Sequence, residues 1–142
     1  MDDRTIIHTY TRSDAIEDGA LITVEQYFGR SKCPDILLEG LRLLEQGRAA
    51  KFELGELVIT TNAARKLAAA DVFVCLIRHH LGDWGELDAE DITENNRALE
   101  QGHRVLSVYD VTDGGDDATQ VRFYIITEWN REATTVLLPE DY

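Results

Sequence analysis

The sequence predicts an α+β domain: a C-terminal three-stranded antiparallel meander packed against two or three helices, preceded by an N-terminal helix and strand. Three observations lead there. The 142 residues suit one domain with one hydrophobic core. Apolar residues recur at spacings of three and four between about residues 34 and 101. From residue 104 onward they alternate, as on a strand with one covered face. The expected organisation is a single domain over 1–142, with 1–50 as a helix/strand segment and 51–142 as the α+β core.

Each element has its own local reason. In "YTRSDAIEDGALITV" (10–24) Ser13 can cap a short helix, Gly19 can end it, and "ALITV" reads as a strand. "PDILLEGLRLLEQG" (34–47) is a helix, with Pro34 in its first turn, leucines at 37, 38, 41 and 44, and Gly47 closing it. "KFELGELVIT" (51–60) alternates around a glycine and reads as a bulged strand or very tight hairpin. A long helix is expected over 62–81, capped by Thr61, with Ala64, Leu67, Ala68, Val72, Cys75, Leu76 and His79 on one stripe. Asp88 is a good N-cap for a helix over 89–101 that Gly102 stops, and Leu87 and Ile92 have hydrophobic-staple spacing. "RVLSVYDV" (104–111), the Gly/Asp turn "TDGGDD", "TQVRFYIITEW" (119–129), the "NREA" connection and "TTVLLP" (134–139) make the meander.

Charge bounds the function. The net charge is −13, and residues 61–142 carry 16 acids against 7 bases. That excess argues against direct nucleic-acid binding, which relies on cationic side chains displacing counterions. It leaves two readings: solubility, or a phosphate-like field presented to a basic, DNA-binding protein. The longest apolar run, "VFVCLI" (72–77), is far short of a membrane span. The start "MDDRTIIHTY" lacks the basic-then-apolar order of a signal peptide, and the two cysteines, Cys33 and Cys75, suit reduced thiols, so a cytoplasmic setting is expected.

The stretch "HHLGDWGELDAEDITENN" (79–96) holds two histidines and six carboxylates with no basic residue. His79 and Asp83 are four apart, but Gly82 interrupts the helix between them and no third ligand follows, so no metal and no cofactor are expected. Asp88, Glu90 and Asp91 face the positive end of a helix dipole. Asn95 falls between Ile92 and Leu99 on the apolar stripe, and a buried amide needs partners, so a polar network of Asn95, Ser107 and Tyr109 is expected to tie helix to sheet. Glu128 and Arg131, flanking a turn, read as a local ion pair.

His79, Gly82, Asp83, Trp84, Gly85, Glu90, Asp91, Asn95, Gly102, Arg104, Ser107 and Tyr109 together form a pattern. So does the tail through Ile126, Thr127, Glu128, Arg131, Thr134, Thr135, Leu137, Leu138, Pro139 and Tyr142. From about residue 56 onward this resembles a family of small bacterial proteins of unknown activity known as plasmid-related. It departs at Asn130, where that family favours Asp. "YTRSDAIEDGALITV" resembles the opening of a second family of plasmid- and phage-borne proteins. The resemblance implies a mobile-element setting, in which small acidic proteins often antagonise host restriction or CRISPR systems.

The function expected on these grounds is binding to a basic, nucleic-acid-handling host protein or complex. Asp83, Trp84, Glu86, Asp88, Glu90, Asp91 and Glu94 would form the contact face, with neither nucleic acid nor membrane touched directly. The alternative is a small enzyme or ligand-binding domain whose site is built from His79, Asp83, Glu128 and Arg131.

Overall fold

The computed structural model describes residues 12–45, 51–112 and 119–142. Its elements run α1 (Arg12–Glu17), β1 (Leu21–Thr23), α2 (Val24–Gly29), α3 (Pro34–Glu45), β2 (Glu56–Thr60), α4 (Thr61–Lys66), α5 (Ala69–His80), α6 (Ala89–Gln101), β3 (Val105–Thr112), β4 (Gln120–Thr127) and β5 (Ala133–Leu137), with a final 3₁₀ turn (Pro139–Asp141). The class is α+β, but the sheet is not the expected three-stranded antiparallel meander. It has five strands in the order β1-β2-β5-β4-β3 and is mixed. β3, β4 and β5 pair antiparallel; β2 adds to β5 in parallel, and β1 closes that edge antiparallel to β2. The "ALITV" strand from the N-terminal fifty residues is therefore part of the same sheet as the C-terminal strands.

Two further expectations change. The helix over 62–81 is two helices, because Leu67 takes an extended conformation and is buried. The break frees the Leu67 carbonyl, which accepts a hydrogen bond from the Tyr27 hydroxyl at 2.6 Å. Thr60, not Thr61, is the cap of α4, accepting from the Ala63 N–H. Within 51–60 only β2 is strand. The chain kinks at Gly55 (φ +67), where a Cβ would lie 2.3 Å from the Glu132 backbone, and Phe52 and Leu54 turn into the core. The "TDGGDD" turn and the Gly47 helix end lie outside the described residues.

The core lies between the helices and one sheet face. Leu57 and Ile59 of β2, Val121, Phe123 and Ile125 of β4, and Val136 of β5 meet residues from α2, α3 and α5. On the opposite face the C-terminal residues close down. The Asp141 carboxylate accepts from Thr60 Oγ1 (2.6 Å) and Asn62 Nδ2 (2.8 Å), and the Tyr142 ring meets Tyr124 edge-on. Burial pushes the Asp141 carboxyl up, but hydrogen bonds from Thr60, Asn62 and the Leu138 N–H outweigh it and leave the group below its usual range.

Candidate functional site

The acidic stretch is presented by α6 and the turn before it. Asp88 caps α6, accepting from the Asp91 N–H at 2.8 Å, and Gly102 ends it in the left-handed conformation, both as the sequence predicts. Only Asn95 of α6 is buried, and Ile92, expected on the covered side, is exposed. The helix is thus moored by a few contacts and leaves a broad polar face free. Glu86, Asp88, Glu90, Asp91 and Glu94 are all exposed, and Arg97 pairs with Glu94 at 3.0 Å.

Two neighbouring asparagines moor it. Asn95 Nδ2 donates to the Leu106 carbonyl (2.7 Å), and the Leu106 N–H donates back to Asn95 Oδ1 (3.1 Å). Its side-chain amide thus imitates a neighbouring strand. Asn96 Oδ1 accepts from the Trp84 indole N–H at 2.8 Å. The expected network of Asn95, Ser107 and Tyr109 is accordingly corrected: Asn95 serves the backbone of Leu106, while Ser107 and Tyr109 look inward to other partners.

The Gly-Asp-Trp-Gly turn is braced on every side. Asp83 takes a two-pronged ion pair from Arg78 (2.8 and 3.2 Å) and accepts from the Gly85 N–H, which hold its carboxyl below the usual range. The Asp83 carbonyl accepts from the Tyr109 hydroxyl at 2.6 Å. Burial, more than any other cause, raises the Tyr109 phenol, with the nearby Ser107 hydroxyl pulling the other way. The backbone of 84–86 pairs with the β3 edge: the Val108 N–H donates to the Trp84 carbonyl (3.1 Å) and the Glu86 N–H to the Val108 carbonyl (2.7 Å). A Cβ at Gly85 would sit 2.0 Å from the Val108 oxygen, which is why a glycine stands there. Trp84, assigned to the contact face although the turn also reads as one that tucks the indole inward while Asp83 bonds backbone amides, takes the second course: it is 3% exposed and stacks on Phe52 at 5.9 Å. The exposed tryptophan is Trp129.

Beneath this turn is a buried polar chain around His79. The Thr134 hydroxyl donates its one proton to the Leu54 carbonyl (2.6 Å), so Thr127, 2.7 Å away, donates to Thr134. Thr127 then accepts from His79 Nε2 (2.8 Å), and Ser107 donates to the bare Nδ1 (2.5 Å). The order of donors fixes His79 as the neutral, Nε2-protonated tautomer. Burial pushes its pKa down to about 3, with His80 and Arg131 adding to the effect. This neutral ring does not serve as a cation for the helix dipole. Phe52 and Trp84 meet it edge-on at 5.2 and 5.7 Å.

A serine donating to an imidazole is the arrangement of an activated nucleophile. Ser107, His79, Thr127 and Thr134 are all at 0% exposure, however, so no substrate reaches the pair. Nor do the other residues of the alternative catalytic set join it. Asp83 is committed to Arg78 on the surface. The Arg131 guanidinium lies over Phe52 (5.5 Å) and donates to the main-chain oxygens of His103 and Glu128, so the expected Glu128–Arg131 side-chain ion pair is replaced by bonds to carbonyls. Among the described residues no three His, Cys, Asp or Glu side chains converge to hold a metal ion, and no helix is long and apolar enough to cross a membrane.

No family model, no curated protein and no solved structure matches this chain. The site is read from its own geometry. Ser107 was expected in a polar network, but its bond to His79 and the roles of Thr127 and Thr134 escaped the sequence reading. Their signal was polar residues (Ser107, Thr127, Thr134) at inward positions of strands whose other inward positions are apolar.

Proposed function

We propose that the protein acts without catalysis, by offering the acidic surface of Glu86, Asp88, Glu90, Asp91 and Glu94 to a basic, nucleic-acid-handling protein in the cytoplasm. The observation that supports this most is a division of labour within one stretch. His79, Ser107, Thr127 and Thr134 face inward and are bonded to one another there, while Glu86, Asp88, Glu90, Asp91 and Glu94 face water on and before a helix that contributes little else to the core. Complementary charge of this kind steers encounter and fixes register more than it adds raw affinity. The resemblance to mobile-element proteins adds a setting in which such a face would obstruct a host restriction or CRISPR complex.

The test separates position from total charge. Glu86, Glu90 and Glu94, none of them a cap, are changed together to Lys, and a control changes Glu17, Glu25 and Asp35, equally exposed on the N-terminal side. Partners captured from a bacterial lysate at low salt should be lost with the first variant and kept with the control, and should fade as salt rises. Equal loss with both variants would mean that bulk charge alone is at work and would overturn the reading.

A further inference from the structure

The protein's cations are distributed unevenly. Among the described residues, Arg12, Arg42, Arg78, Arg97 and Arg122 are each paired with a carboxylate. Arg104 and Arg131 bond to a phenol and to carbonyls. Arg30, Lys32 and Arg65 make no ion pair among the described residues; Lys51 and Lys66 make none either and lie outside the cleft, but the first three are exposed together at one place. They surround a cleft of about 750 Å³ between the α2–α3 connection and the α4–α5 break.

The floor of the cleft is apolar, formed by Ile22, Leu37, Ala64 and Leu67. No carboxylate among the described residues lines it. Ala68, Ala69 and Ala70 form one wall, and there α5, twelve residues long, begins without a side-chain cap, so its first N–H groups add partial positive charge on the same side. Asp71 sits in that first turn but outside the lining, where its charge adds to burial in raising the Tyr27 phenol. In a chain of net charge −13, a cationic mouth over an apolar floor departs from the rest of the surface. The volume falls in the range of small-molecule sites.

We propose that this cleft binds a small amphipathic anion, an apolar body of acyl-chain size ending in a carboxylate. The chain would lie on Ile22, Leu37 and Leu67, and the carboxylate would meet Arg30, Lys32 and Arg65. This site is separate from the acidic face of α6 and stands whether or not that face binds a protein.

Cys33, on the cleft lining and exposed, gives a native reporter. The other cysteine, Cys75, is buried, and burial pushes its thiol up to about 11, so it reacts poorly at neutral pH. The experiment follows alkylation of Cys33 by neutral iodoacetamide in the presence of decanoate, decanol or inorganic phosphate. Decanoate should slow it saturably, with decanol at least tenfold weaker and phosphate without effect at the same concentration. Arg30→Glu with Arg65→Glu should weaken decanoate at least tenfold. Ala68→Trp, an exposed wall position that fills the cleft without touching a cation, should remove the protection. Decanol matching decanoate would make the cleft a mere apolar surface, and phosphate matching it would make the site one for a free anion. No protection by decanoate, or protection unchanged in both variants, would equally overturn the proposal.

Discussion

With its imidazole held between Ser107 and Thr127, His79 sets how the protein responds to acid. Its folded pKa of about 3 lies below the ordinary 6.5, so the unfolded chain takes up a proton first as pH falls. The stabilisation is complete above about pH 6.5 and drains away as pH falls toward 3, at no more than about 1.4 kcal/mol per pH unit for one proton. Burial lowers the His80 pKa as well, so it adds to the same slope. Thermal melts should therefore decline from about pH 6.5, before carboxylates begin to titrate. His79→Gln should melt lower at pH 7.5 yet show a flatter decline; a wild-type melting temperature constant from pH 7.5 to 5 would contradict this. Thr127→Val removes both the acceptor for Nε2–H and the donor to Thr134, and leaving such groups unpaired costs about 1–3 kcal/mol each. Thr135→Val, on the opposite sheet face, should change stability by less than about 0.5 kcal/mol. Equal denaturant midpoints for the two variants would show that the chain of hydroxyls contributes nothing. His80 has both ring nitrogens buried without a partner among the described residues, and its ring lies 6.2 Å from that of Phe52.

At the scale of elements, the edge strand β3 accounts for many of the residues between 82 and 96 in plain structural terms. An open edge invites pairing with other chains, and here its outward groups are taken at Leu106 by Asn95 and at Val108 by residues 84–86. Gly85→Ala should displace that segment, lowering stability by several kcal/mol (about 2–4) and exposing Val108. The check is light scattering after mild heating, where the variant should aggregate and the wild type should not. Asn95→Leu should cost about 1–3 kcal/mol, with amide exchange accelerated in α6 and at Leu106; unchanged exchange there would show that the amide is not the mooring. The caps of α6 were legible because they are local: Asp88 and Gly102 act on their own helix. The division of the 62–81 helix was not. Its cause is the burial of Leu67 and the Tyr27 hydroxyl from forty residues away, neither of which leaves a period in the sequence.

For the whole molecule, the same distinction between local and distant causes decides what could be read. The β3–β4–β5 pairings follow from alternation and short connections. The parallel pairing of β2 with β5 joins Glu56 to Ala133 across most of the domain and has no local signature beyond the consecutive apolar residues Leu57, Val58 and Ile59, which suit an interior strand covered on both faces. The site was legible in half: the exposed carboxylates and the inward phase of His79 follow from helix period and caps, whereas the aromatic cluster that closes over His79 and Trp84 required Phe52, brought in by the kink at Gly55. Charge is likewise a property of the whole, but its placement is not, and the account rests on placement. The most direct test is amide hydrogen exchange on the protein alone and bound to a partner captured from lysate. The account predicts new protection over residues 86–97, with 52–54 and 104–109 unchanged because they are already closed. Protection that spares 86–97 and appears only elsewhere would contradict it.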